Sequence, residues 1–250
     1  MRTPIIAGNW KMHLNRCQTA QLAGELKVGH KWPGQVEVVI APPFTSLGTA
    51  AEVLQDTPIS LAAQNVHPKD QGAFTGEISP VFLVELGCEY VIVGHSERRE
   101  YFLESDDFIN QKVKTLLAKN LKPILCVGER LEHREQNQHY DIVGEQVING
   151  VAQIESTEME KIVIAYEPVW AIGTGKVATS EQIDEMHLFI RKVIERRFNS
   201  DIAAKVRIQY GGSVKPDNAA EILGLPNVDG ALVGGASLKT SDFLAIVKAC

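Results

Sequence analysis

Glu167 stands where a short β-branched run, Lys161-Ile162-Val163-Ile164-Ala165-Tyr166, gives out, and Pro168 follows it at once. Beyond lies an apolar segment, Val169-Trp170-Ala171-Ile172, bounded by Gly173 and Gly175. The pattern predicts a strand that delivers a carboxylate to a sheet edge, followed by a lid. Proline stiffens one end of that lid and glycines free the other. A base on a rigid strand beside a closing loop is what proton abstraction in a water-excluded site requires. Taken alone, a Glu-Pro pair reads better as an ordinary strand end before a surface loop. The rest of the chain reverses that reading.

The elements that must position Glu167 are legible as short apolar runs alternating with helical periodicity. The strand candidates are Ile5–Trp10, Val36–Ala41, Ile59–Gln64, Tyr90–Gly94, Pro123–Gly128, Ile162–Glu167, Val206–Tyr210 and Gly230–Gly234. They are continuous apolar runs, as expected of parallel strands buried on both faces. Between them, Ser79-Pro80 offers an N-cap with proline at the first helical position, and Ser105 precedes Phe108, Val113 and Leu116-Leu117. Thr179 and Gln182 form a capping-box pattern ahead of the stripe Ile183, Met186, Ile190, Ile194. No linker, low-complexity tract or charge block splits the chain. Eight β–α units in 250 residues predict an α/β protein, a closed (β/α)8 barrel spanning 1–250 as a single domain. An open doubly wound sheet is the alternative.

In a barrel, every segment directly after a strand faces the same rim. The chemistry-capable residues collect there. Gly8-Asn9-Trp10-Lys11 follows the first strand, Gly94-His95-Ser96-Glu97-Arg98-Arg99 the fourth, and Glu167 with its lid the sixth. Gly211-Gly212-Ser213 follows the seventh and Gly234-Gly235 the eighth.

Composition narrows the function classes. A net charge of −6 argues against nucleic-acid binding, which needs a basic face, and means that an anionic ligand must be held by local donors. Hydrophobic content of 44% with 22% charged is globular. Cys17, Cys88, Cys126 and Cys250 are scattered without a Cys-x-x-Cys pair, so reduced thiols are expected and a metal site is not. Cys126 reads as a small packing residue on the fifth strand, since no base partner is evident. The start of the chain carries no signal-peptide pattern and no stretch is long enough to span a membrane, so a cytoplasmic location is expected.

These motifs also carry a resemblance. Asn9-Trp10-Lys11, Ala63-Gln64-Asn65-Val66, Gly72-Ala73-Phe74-Thr75-Gly76-Glu77, Val93 to Arg99, Tyr166 to Lys176, Tyr210-Gly211-Gly212-Ser213-Val214 and Val233-Gly234-Gly235-Ala236-Ser237 together resemble the triosephosphate isomerase family nearly end to end. The resemblance implies interconversion of dihydroxyacetone phosphate and glyceraldehyde 3-phosphate, in glycolysis and gluconeogenesis, through an enediol(ate). Moving a carbonyl between neighbouring carbons needs a base, an electrophile at the oxygens and a grip on phosphate. No cofactor or metal is required.

Glu167 is the candidate base. His95, where Ser96-Glu97 opens a helix, is the candidate electrophile, because a helix N-terminus disfavours imidazolium and leaves a neutral ring able to donate. Lys11 supplies positive charge where the transition state gains negative charge, and Asn9 can donate to an oxyanion or to substrate. The resemblance implies that Glu97 pairs with Lys11 and assists proton transfer at the oxygens; by itself Glu97 reads as a first-turn helix carboxylate. Gly173, Ser213, Gly234 and Gly235 are the candidate phosphate cradle, in turns where backbone can approach the anion closely.

The long loop 64–77, containing glycine and proline, is of a length that tends to be functional. The resemblance implies that it reaches into a second subunit of a homodimer, with Thr75 near the partner's site. Two other readings remain open. One is a different phosphate-binding barrel enzyme, such as a sugar-phosphate aldolase; a Schiff-base aldolase needs a strand lysine, and Lys161 lies at the wrong end of its strand. The other is a binding protein that kept the fold and lost the chemistry.

Overall fold

The computed structural model describes residues 2–29, 36–172 and 177–250. Its strands are β1 (Ile5–Asn9), β2 (Glu37–Ala41), β3 (Ile59–Ala63), β4 (Tyr90–Val93), β5 (Lys122–Val127), β6 (Val163–Tyr166), β7 (Arg207–Tyr210) and β8 (Gly230–Val233). They pair in chain order, all parallel, and β8 pairs back onto β1 to close the barrel. The open-sheet alternative is thereby excluded. The expected runs and the observed strands differ by about a residue at their ends. Trp10, Gln64, Gly94 and Glu167 fall just past the last paired residue, where the chain turns onto the rim.

Strand alternation explains the two layers of core. Ile5 and Ala7 of β1, Tyr90 and Ile92 of β4, Val163 and Ala165 of β6 and Leu232 of β8 share one apolar cluster built from strand residues alone, the barrel interior. Their neighbours Ile6, Val91, Val93 and Ile164 face outward into the larger cluster under the helices, beside Leu26, Val113, Ile190 and Phe243. The inward parity 5, 7 continues to Asn9, and 163, 165 continues to Glu167. Both side chains are therefore aimed over the barrel axis by the pleat itself.

The caps form as the sequence suggests. Ser79 accepts from the Val81 amide, and Ser105 accepts from Phe108. Thr179 and Gln182 make the reciprocal capping box ahead of the helix Ser180–Arg197.

One buried charge outside the rim matters for stability. Lys112 is fully buried, and its ammonium donates to Glu104 at 2.5 Å and to Asn65 at 2.8 Å. Burial pulls its pKa down, and Glu104 partly restores it. Arg98 Nε also donates to the same Glu104 oxygen, at 2.7 Å. Removing one partner of a buried pair strands the other charge, so Glu104→Ala is expected to cost about 3–5 kcal/mol. Urea unfolding with an unchanged denaturant slope measures it. A loss below about 1 kcal/mol would mean that the ammonium is stabilised by something other than this carboxylate.

Candidate active site

A cavity of about 600 Å³ opens at the carboxyl-terminal ends of the strands. Asn9, Lys11, His95, Glu167, Ser213, Gly234 and Gly235 all line it, joined by Ile172, Gly211, Gly212, Leu232 and Lys239. Of the expected site residues, Glu97 lies beside the cavity rather than in its lining, reaching it through Lys11. Gly173 lies outside the described residues, as does the lid from there to Lys176.

Glu167 is 2% exposed, and its carboxylate is held at both oxygens. One oxygen lies 2.9 Å from His95 Nε2, and the other accepts from the Ser96 backbone amide at 2.9 Å. Burial opposes ionisation, but the His95 ring, the Ser96 amide and the Lys11 charge outweigh it and hold the pKa below the ordinary carboxylate range. The carboxylate is accordingly charged at neutral pH. In this position it lines the cavity with both oxygens engaged.

His95 caps the short helix Ser96–Tyr101, and its Nδ1 accepts from the Glu97 amide at 3.3 Å. That bond needs a lone pair on Nδ1, so the ring proton belongs on Nε2, facing Glu167. The helix amide, bound to the Nδ1 lone pair, favours a neutral ring. A second influence is not foreseeable from the sequence. Burial pushes the ring away from imidazolium, but the touching Glu167 carboxylate overrides it and raises the pKa above the ordinary histidine value. Separating the pair would remove that upward push and leave burial, the Lys11 charge and the helix amide favouring neutral imidazole against the Glu97 carboxylate 3.5 Å from Nδ1.

Lys11 sits in a tight turn with φ +48°, a left-handed conformation that costs a non-glycine residue about 1–2 kcal/mol. Two side chains hold it there. Asn9 Oδ1 accepts from the Lys11 amide at 3.0 Å, and Gln64 Nε2 donates to the Lys11 and Ala41 carbonyls, both at 2.8 Å. The ammonium then donates to Glu97 at 2.8 Å. Its stem runs beside the last turn of the site: a Cβ placed on Gly234 would sit 3.8 Å from Lys11 Cε. Asn9 thus has a role in shaping the turn as well as lining the cavity.

Glycine is required where backbone must pass close to Glu167. A Cβ on Gly211 would lie 2.9 Å from Glu167 Cγ, and one on Gly128 would lie 1.8 Å from the Glu167 carbonyl oxygen. Opposite, Asn218 fixes the turn after β7 by donating to the Ser213 carbonyl at 3.1 Å and accepting from the Lys215 amide at 2.8 Å.

Sequence reasoning missed Ser96 as the rest for Glu167, Gln64 as the clamp on Lys11, and the cavity lining by Leu232 and Lys239. Leu232 was accessible in principle, being an inward position of β8. The others depend on contacts made only by barrel closure. Among the described residues, no group of three or more His, Cys, Asp or Glu side chains is arranged to hold a metal ion.

The fold and its cavity define the class: a closed (β/α)8 barrel with a carboxylate, an imidazole and an ammonium gathered at the carboxyl-terminal rim. A family model for triosephosphate isomerase matches residues 4–250. Triosephosphate isomerase of Syntrophotalea carbinolica is 53% identical over 248 residues, covering 99% of this chain and 98% of that one. The enzyme of that name from Fusobacterium nucleatum is 49% identical over 249 residues, covering 100% and 99%, and that from Chloroflexus aurantiacus 50% over 247, covering 99% of each. The chain belongs to the triosephosphate isomerase family.

Proposed function

We infer that this protein interconverts dihydroxyacetone phosphate and D-glyceraldehyde 3-phosphate through an enediol(ate), and that Glu167 is the base. The observation that carries the assignment of roles is the shared cavity, in which Glu167, His95 and Lys11 stand around one space with glycine turns on its far side. A triose phosphate enters between Glu167 and His95, displacing the carboxylate from Ser96. Glu167 takes a proton from one carbon and returns it to the next. His95, parted from Glu167, is neutral and donates from Nε2 to the substrate oxygens as negative charge develops. Lys11 offsets that charge, Asn9 donates to the same region, and Glu97 holds the ammonium and assists proton transfer at the oxygens. Ser213, Gly234, Gly235 and, on closure of the lid, Gly173 grip the phosphate. Residues 1–250 act as one domain, without cofactor or metal.

A coupled assay on purified protein, following glyceraldehyde 3-phosphate conversion, tests the activity. Saturable conversion supports it, and absence of turnover with folded protein rejects it.

The 64–77 loop we assign to a homodimer interface. Residues 71–77 are exposed, Phe74 among them at 42%, and Phe82, five residues past the loop, is open too at 56%. Exposed aromatic side chains on and beside this loop support its use as a partner site. Light scattering is expected to give twice the chain mass, and a monomer at micromolar concentration would contradict the assignment. No helix among the described residues is long and apolar enough to cross a membrane. A cytoplasmic location fits the proposed metabolic role, and the acidic net charge fits a protein without nucleic-acid partners.

A further inference from the structure

Behind the rim, one residue of backbone is gripped from outside the cavity. Gly128 follows β5, and Gln146, on the helix His139–Gly150, meets it with its carboxamide. Gln146 Oε1 accepts from the Gly128 amide at 2.7 Å, and Nε2 donates to the Gly128 carbonyl at 3.1 Å. Both polar backbone groups of one residue are occupied by one side chain, which requires a donor and an acceptor side by side, the pairing a carboxamide carries.

Gly128 lies directly against the backbone of Glu167. A Cβ there would come 1.8 Å from the Glu167 carbonyl oxygen and 3.2 Å from its Cβ. The residues on either side of Gly128 are tied to the same segment. The Glu167 amide donates to the Val127 carbonyl at 2.8 Å, and the Val169 amide donates to the Glu129 carbonyl at 3.1 Å. Gly128 is the link between those two bonds.

Packing alone does not fix it. A cavity of about 170 Å³, lined by Gln146, Gly128, Ser96 and Glu167 among others, lies alongside and leaves room for the segment to shift.

We propose that Gln146 is a positioning residue for Glu167, holding through Gly128 the backbone from which the carboxylate projects. Gln146 is absent from the lining of the main cavity, so its effect is routed through the Glu167 backbone. The proposal rests on the reading of Glu167 as the base. A base displaced by about 1 Å can lose ~10²-fold in rate, so a partial shift is expected to cost about tenfold.

The test uses Gln146→Met, which keeps length and packing while deleting both hydrogen bonds. It is expected to lower kcat about tenfold, with KM and the calorimetric affinity for inorganic phosphate changed less than about twofold, because three of the four proposed phosphate groups, Ser213, Gly234 and Gly235, follow β7 and β8. Gln146→Glu keeps the acceptor and loses the donor, so its loss is expected to be smaller; it carries the test if the Met variant does not fold. A merely structural residue would not show the coupling expected next. In a Glu167→Asp background, where the carboxylate is already retracted, Gln146→Met should cost less than about threefold. An equal loss in both backgrounds, a kcat within about twofold of the parent, or a rise in KM alone would overturn the proposal. Failure of the base assignment is separable, since it appears as parental turnover in Glu167→Asp alone.

Discussion

Glu167→Asp is expected to bind triose phosphate nearly as well as the parent and to turn it over at least ~10²-fold more slowly. Removing one methylene retracts the carboxylate by about 1 Å, and proton transfer tolerates such misplacement poorly. Hydrogen bonds and close glycine contacts resist the shift of the strand that would compensate. The Glu167 carbonyl is pressed against Gly128, its amide is bound to Val127 at 2.8 Å, and Gly211 closes on Cγ from the other side. The shorter side chain also forfeits the paired contacts to His95 and Ser96 that keep the charged form favoured in a site only 2% exposed. Binding is largely spared because three of the four proposed phosphate groups, Ser213, Gly234 and Gly235, lie in turns after β7 and β8. Steady-state kcat and KM, with a melting temperature to exclude unfolding, decide the matter. A variant with near-parental turnover would remove Glu167 from the role of base.

Lys11→Met is expected to lower activity on the order of 10²–10³-fold in a protein that still folds. The substitution keeps the stem and deletes the ammonium. Loss of one preorganised stabiliser of transition-state charge costs on the order of 10²–10³-fold. Folding is spared for a local reason. The Lys11–Glu97 pair is part-exposed, with 43% of the Glu97 side chain open to water, and exposed pairs contribute about 0–1 kcal/mol. The left-handed turn at Lys11 depends on Asn9 and Gln64 gripping its backbone, which methionine retains. Affinity for phosphate-bearing inhibitors should fall as well. Unchanged affinity by calorimetry would mean that Lys11 does not face the bound anion.

Much of the fold and of the candidate site is legible in the amino-acid sequence, for a physical reason. Parallel strands buried on both faces must be apolar along their length, so β1 to β8 announce themselves as runs, and the polar residue that ends a run marks the rim. Asn9, His95 and Glu167 stand out in that way, and inward parity explains why two of them point over the axis. What stays hidden is whatever closure alone creates. Gln64 meets Lys11 across 53 residues of sequence, and Ser96 meets Glu167 across 71. No periodicity encodes either contact. Gln146 looks like any polar residue on a half-buried helix until Gly128 is seen beneath it. The state of His95 is half legible: the helix amide on Nδ1 follows from the motif, whereas the carboxylate on Nε2 requires the barrel.

The most direct test of the central claim, proton abstraction by Glu167 through an enediol(ate), is the fate of the transferred hydrogen. Dihydroxyacetone phosphate turned over in D2O, with product trapped as it forms and examined by NMR, is expected to yield glyceraldehyde 3-phosphate carrying solvent deuterium at C2. A carboxylate that holds the proton between the two transfers can exchange it with solvent. Product whose C2 hydrogen comes entirely from C1 of the substrate, with no deuterium gained, would contradict the account.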